Sequence, residues 1–467
     1  MTLLDFFPHE TPRPQQLEVM KQIEECWQSH DVFVIQAPTA TGKLPLSVAT
    51  AGWAASKSGK PVTITVPSNV LVDQLTAKHS NVRSLHRKSH YTCASMGMNC
   101  SAVQKSCGSR CRGCVYDSAL AAARTAKVRA MNFYTYLSNR MFSDTVIFDE
   151  AHTVLDVIQD QEGFKLWHFR YKYPKNLRTT AELLAWIENQ PVNPELGQVR
   201  DELLKVRNNH IIEHTLDLHR GFMVPVLKVR PVNAKDAQPW LWPERRVRKI
   251  VLMSATINQQ DIKDLGLDLR RVKYIEVDSP IPPVNREIWF TPAANATHKC
   301  KDQAVQLLAA RIKALMAASS DKGLVHLPYE WAKDVVALIN DPRLIHHTKA
   351  NKQEQLQRFR DSADGVLVAS GMYEGVDLPY DAARWQVIGK VPFLSLGEVA
   401  IAERANADPK WYAYQAIRKV VQAAGRVCRT PDDWGVTYIL DTQFERLYRN
   451  NQELFPKYFK QAVRGIS

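Results

Sequence analysis

Val32-Phe33-Val34-Ile35-Gln36 runs without interruption into Ala37-Pro38-Thr39-Ala40-Thr41-Gly42-Lys43. A short β-branched run feeding a glycine-lysine turn, then helical sequence, is the start of a parallel sheet. The same rhythm recurs in Pro61–Val66, Thr145–Phe148 and Lys249–Met253. It returns at Gly323–Leu327, Gly365–Ala369, Trp385–Ile388 and Val436–Leu440. Such runs, separated by helical stretches, predict two tandem α/β domains, each a doubly wound parallel sheet. A chain of 467 residues is also too long for one core.

Two stretches break the rhythm, and both precede the strand at Lys249, so they read as insertions into the first domain. The expected organisation is a first domain from 1–87, 119–152 and 246–257 and a cysteine-rich insertion at 88–118. A small, partly helical insertion at 153–245 and a second domain at 258–467 complete it.

The turn at 37–43 carries chemistry. Backbone N–H groups of such a loop curl around phosphates, the following helix adds its positive end, and Lys43 reaches the terminal phosphates. Thr39, Ala40, Thr41, Gly42 and Leu44 complete the candidate phosphate cradle. Ala37 stands where a first glycine is usual and is tolerable at negative φ; Ala40 is read in the same way. Leu44 is the larger departure, because a hydroxyl that ligates magnesium is usual there. Ser47, one helical turn on, is the nearest alternative.

Asp149-Glu150-Ala151-His152 follows the buried run Val146-Ile147-Phe148. Asp149 would hold Mg2+ through water and Glu150 would orient the attacking water as general base. His152 would couple the site to neighbouring segments. The bland alternative is a helix cap by Asp149 with Glu150 in the first turn. Gln422-Ala423-Ala424-Gly425-Arg426-Val427-Cys428-Arg429 adds two arginines three apart, read as one helical face. They could reach a γ-phosphate and stabilise its developing charge.

Five of the eight cysteines, Cys93, Cys100, Cys107, Cys111 and Cys114, crowd into one segment. Thiolates in this number suit zinc or an iron–sulfur cluster, and spacing does not separate the two. The net charge of +13 favours a polyanionic partner. No run of apolar residues is long enough for a membrane span, and no secretory signal is read at the start, so the expected location is cytoplasmic.

Taken in order, these segments resemble a superfamily 2 helicase, and more closely the iron–sulfur XPD/DinG family with its DEAH box. Pro12-Arg13-Pro14-Gln15-Gln16 resembles the N-terminal element, with Arg13 and Gln16 at the nucleotide and Gln16 the candidate adenine contact. Residues 37–43 resemble motif I, Thr65–Asn69 with Gln74-Leu75 motif Ia, and Asp149–His152 motif II. Met253–Ile257 resembles motif III, Ser370–Leu378 motif V and Gln422–Arg429 motif VI.

The resemblance implies two RecA-like domains that close on ATP and Mg2+, with Ser254 and Thr256 linking the ATP site to DNA. Glu374, Asp377 and Gln422 would sense nucleotide, and Arg429, assisted by Arg426, would serve as arginine finger. It implies a [4Fe–4S] cluster on four of the five cysteines, with Cys114 the firmest and Cys100 or Cys111 the spare; zinc is the alternative. The 153–245 insertion stands where the family has its Arch domain. The implied activity is DNA-stimulated ATP hydrolysis with 5′→3′ movement of a monomer on single-stranded or forked DNA. The alternatives are a DNA-binding regulator with a weakened ATPase, a translocase that does not unwind long duplex, and an RNA helicase. A minimal bacterial or viral version fits the length.

Overall fold

The computed structural model describes all residues except 108–112, 206–209, 220–221, 233–237, 243–245, 349–350, 372–377 and 467, together with the side chains at 104–107, 205, 218 and 238. The chain divides into two compact units. The first comprises Met1–Ala37, Gly42–Val277 and Leu396–Arg404, and the second Pro38–Thr41, Asp278–Ser395 and Ala405–Ser467.

In chain order the first unit contains β1 (Val32–Gln36), β2 (Val62–Val66), β3 (Val82–Ser84), β4 (Val128–Asn132) and β5 (Thr145–Asp149). It continues with β6 (Phe164–Trp167), β7 (His210–His219), β8 (Phe222–Pro231), β9 (Lys249–Ser254) and β10 (Val272–Glu276). Seven of these form one parallel sheet in the order β10-β1-β9-β5-β2-β4-β3. Every residue of β1, β2, β4 and β5 is buried. Burial on both faces is what a parallel sheet wrapped by helices requires. The first unit runs through Val277 rather than stopping at 257, because β10 pairs with the outer side of β1.

The segment after β5 is partly helical, as expected, and also carries a sheet. Helices at Val154–Glu162, Thr180–Glu188 and Pro194–Lys205 accompany an antiparallel sheet in the order β6-β8-β7. Leu166, Leu183, Ile187, Leu203, Ile212 and Leu227 give it a core of its own, against which Trp186 packs. Trp240 and Trp242 pack on the main core instead; Trp240 donates to Glu162 at 2.8 Å and Arg271 lies over Trp242. These tryptophans serve packing rather than an open stacking surface.

The second unit contains β11 (Ile288–Ala294), β12 (Gly323–His326), β13 (Leu344–His346), β14 (Val366–Val368), β15 (Trp385–Ile388), β16 (Val436–Asp441) and β17 (Val463–Arg464). They form a parallel seven-stranded sheet in the order β13-β14-β12-β15-β16-β11-β17. Helices Lys301–Ala318 and Pro409–Ala424 contribute to its cores. The tandem doubly wound architecture is therefore as expected. No helix among the described residues is long and apolar enough to cross a membrane.

Candidate nucleotide site and cysteine cluster

Strand order places the first site. β9 lies between β1 and β5, with Gln36 opposite Ser254 and Asp149 opposite Met253. Three carboxyl ends thus stand side by side, where parallel α/β sheets bind ligands. Helix Lys43–Ser58 starts just past β1. Its N-cap, Gly42, has φ +80°, and a Cβ there would fall 2.4 Å from Gln16 Nε2. Glycine takes this φ without strain, and any Cβ would push the Gln16 amide from its place.

Gln16 is buried and holds the turn, donating to the Gly42 carbonyl at 3.1 Å while its Oε1 accepts from the Arg13 N–H at 2.8 Å. Ala40 takes φ +66°, which overturns the expectation of negative φ there. A left-handed alanine costs roughly 1 kcal/mol relative to glycine. Thr39 is half-buried, while Thr41 is fully buried with no partner for its hydroxyl among the described residues.

The Lys43 ammonium lies 3.3 Å from Glu150 Oε1. Glu150 itself sits at φ +52°, a strained conformation of the kind that gathers at functional sites. Asp149 is buried at the end of β5, and its Oδ1 accepts from the Glu150 N–H at 3.1 Å. Burial, and then the adjacent Glu150 charge, push the Asp149 carboxyl up to about 6, against the pull of Lys43. A bound dication would favour the ionised form.

His152 Nδ1 is 2.7 Å from Ser254 Oγ and 3.5 Å from Glu150 Oε2. Ser254 Oγ also accepts from the Thr256 N–H at 3.2 Å. Acidic pair, histidine and the Ser254–Thr256 turn are one connected network.

Position 44 supplies no metal ligand. Leu44 packs against the apolar cluster beneath the helix. Ser47 does not replace it: fully buried, it donates to the Lys43 carbonyl at 3.2 Å and faces Met253. Pro45, also in the first turn, brings no N–H to it.

In the second unit, helix Pro409–Ala424 ends before the arginines, so Arg426 and Arg429 are not on a helical face. The chain turns at Cys428, φ +63°. Arg426 Nε donates to the Gln422 carbonyl and Arg429 Nη1 to the Gly425 carbonyl, each at 3.0 Å, capping the helix end. Buried Asp433 fixes the turn, accepting from the Arg429 and Tyr380 N–H groups and pairing with Arg384 at 2.9 Å. Gln422 is buried at the end of this helix. Glu374 and Asp377 lie outside the described residues.

Cys93, Cys100 and Cys114 are buried, form no disulfide, and lie in one cluster with Tyr91, Val103 and Tyr116. Residues 92–99 form a small hairpin, Cys93 N–H donating to the Met98 carbonyl at 2.7 Å and Cys100 N–H to that of Tyr91 at 2.8 Å. Burial, with a hydrogen bond to Cys114 next, pushes the Cys100 thiol up. The fold thus gathers Cys100 with Cys93 and Cys114. Cys111 and the Cys107 side chain lie outside the described residues. Three undisulfided sulfurs brought together from separate segments fit a thiolate-bound metal centre.

Two tandem doubly wound units, with Gly42-Lys43 opening a helix and the acidic pair in the first, define a RecA-like ATPase fold. Residues 9–165 match the family described as type III restriction enzyme, res subunit, and residues 308–462 match the helicase C-terminal domain. The probable ATP-dependent helicase MJ0942 of Methanocaldococcus jannaschii is 25% identical over 226 residues, 42% of this chain. The alignment spans about one third (34%) of that relative's length. A solved XPD helicase superposes with TM-score 0.65 at 15% identity over 96% of this chain and 98% of its own. The Xpd4 structure from S. tokodaii gives 0.60 at 14% identity over 97% and 99%. The chain thus carries a helicase C-terminal domain match in its second unit and shares the XPD-like fold of these solved structures.

Proposed function

We propose that the chain is an ATP-driven motor that moves 5′→3′ along single-stranded DNA and opens forked duplex. The observation that carries the ATPase part is the cluster of Lys43, Asp149, Glu150 and His152 past the ends of β1 and β5, the two strands that flank β9, with Lys43 3.3 Å from Glu150. Lys43 would clamp the terminal phosphates, Asp149 would hold Mg2+ through water, and Glu150 would orient and deprotonate the attacking water. Arg13 and Gln16 would border the base, and residues 39–44 the phosphates. Arg429, with Arg426, would neutralise charge on the γ-phosphate, while Glu374, Asp377 and Gln422 would sense it. Ser254 and Thr256 would carry the state of Glu150 onward through His152.

Four of Cys93, Cys100, Cys107, Cys111 and Cys114 would hold a [4Fe–4S] cluster, with zinc the alternative. Such a centre, when bound, would brace a small segment that lacks a large core. The positive charge of the chain, +13, supports a nucleic-acid substrate. The test is ATP turnover with and without single-stranded DNA, followed by unwinding of a fork with a 5′ tail. DNA-dependent turnover and strand separation support the reading; turnover stimulated by RNA alone would overturn it.

A second reading, a DNA-binding regulator with slow turnover, is favoured by Leu44, Pro45 and the inward-facing Ser47. DNA binding without measurable turnover would select it. Turnover without strand separation would select a translocase that remodels bound complexes.

A further inference from the structure

We infer a mononuclear metal site, distinct from the cysteines, formed by Asp73, His86 and His90. Each offers one donor atom, and the three atoms lie within 4.8 Å of one another. His86 Nε2 is 3.0 Å from Asp73 Oδ1, a separation that two ligands on one small dication can span. The His86 and His90 rings are stacked at 4.2 Å with an interplanar angle of 25°. Two imidazoles and one carboxylate are a donor set for zinc or a neighbouring divalent ion.

The donors come from separate segments, and each segment is held independently. Asp73 lies on helix Asn69–Lys78. His86 follows β3, its N–H donating to Tyr91 Oη at 3.0 Å, while the Leu85 N–H donates to Ala130 at 2.9 Å. His90 closes the 3₁₀ turn Lys88–His90, its N–H donating to Arg87 at 2.9 Å. These bonds hold the backbones of the His86 and His90 segments, and the exposed Asp73 and His90 side chains would turn to meet an ion beside buried His86. His86 is buried, whereas Asp73 and His90 are exposed, so an ion could enter from solvent and keep an open coordination position. It would clasp the turn that leads into Cys93 to a helix of the main sheet.

The decisive experiment titrates zinc, and separately cobalt, into the full-length protein as purified. Wild type should take up one more zinc per chain than His90→Ala. Asp73→Asn should weaken that uptake at least about tenfold. The cobalt difference spectrum should show tetrahedral d–d bands without thiolate-to-cobalt charge transfer, and Cys114→Ser should retain them. Since His90 is exposed, the metal-free variant should melt with metal-free wild type. Equal zinc uptake by wild type, His90→Ala and Asp73→Asn would overturn the proposal, as would a thiolate signature lost in Cys114→Ser. These outcomes are independent of ATP turnover.

Discussion

Lys43 and Glu150 form an ion pair at 3.3 Å across the end of β9, with the lysine side chain 10% exposed and the glutamate 34%. A nucleotide that engages Lys43 must take it from Glu150, which frees the carboxylate for a water. Glu150→Gln should therefore keep or tighten ATP binding while lowering turnover by about 10²-fold or more, the usual range for a lost general base. Nucleotide affinity by fluorescence and steady-state turnover separate the two effects. A variant as fast as wild type would remove Glu150 from the chemistry.

Asp149 supplies a pH dependence with a definite sign. Its carboxyl is raised in the fold from 3.8 to about 6, so the folded state holds the proton more tightly than the unfolded chain. Its contribution to stability is complete below about pH 4 and is lost as pH rises through about 6. Asp149→Asn, measured without nucleotide or metal, should match wild type near pH 4 and exceed it above pH 6. Denaturant unfolding across this window checks the sign, and a difference that grows toward acid would contradict it.

Ala40 holds a left-handed conformation at φ +66°. Ala40→Gly should stabilise the protein by roughly 1 kcal/mol. A denaturation midpoint that falls would show that the alanine methyl makes a contact worth more than its strain.

Leu44→Thr should raise turnover by restoring a hydroxyl at the start of helix Lys43–Ser58, at a cost of about 1 kcal/mol in lost apolar contact. Ser47→Ala should leave turnover unchanged, since that hydroxyl is spent on the Lys43 carbonyl. Magnesium-dependent turnover of both variants tests the pair of expectations.

How far the sequence reveals this protein depends on what each residue signals locally. Strands such as Val32–Gln36 and Thr145–Asp149 are legible because continuous burial demands apolar, β-branched side chains. Strand β4 is hidden by Arg129, a buried cation whose guanidinium is satisfied by Thr63, Ser143 and the Met141 and Phe142 carbonyls. Strand β10, Val-Lys-Tyr-Ile-Glu, is half exposed at the sheet edge and carries a weak pattern. The i,i+3 spacing of Arg426 and Arg429 suggests a helix, but Asp433 draws the backbone into a turn. Nothing local signals the positive φ of Glu150 or Ala40. His86 and His90 give a spacing signal only, and Asp73 joins them through the tertiary fold.

The place of β9 has a consequence for biosynthesis. It sits between β1 and β5, yet it is translated after both, on the far side of residues 150–248. Until Lys249–Ser254 leaves the ribosome, the nascent chain can carry two apolar strands with unmet edges. Such edges recruit foreign strands readily. The nucleotide end of the sheet is therefore sealed late, and a truncated product ending before Lys249 is expected to need a holding chaperone to stay in solution.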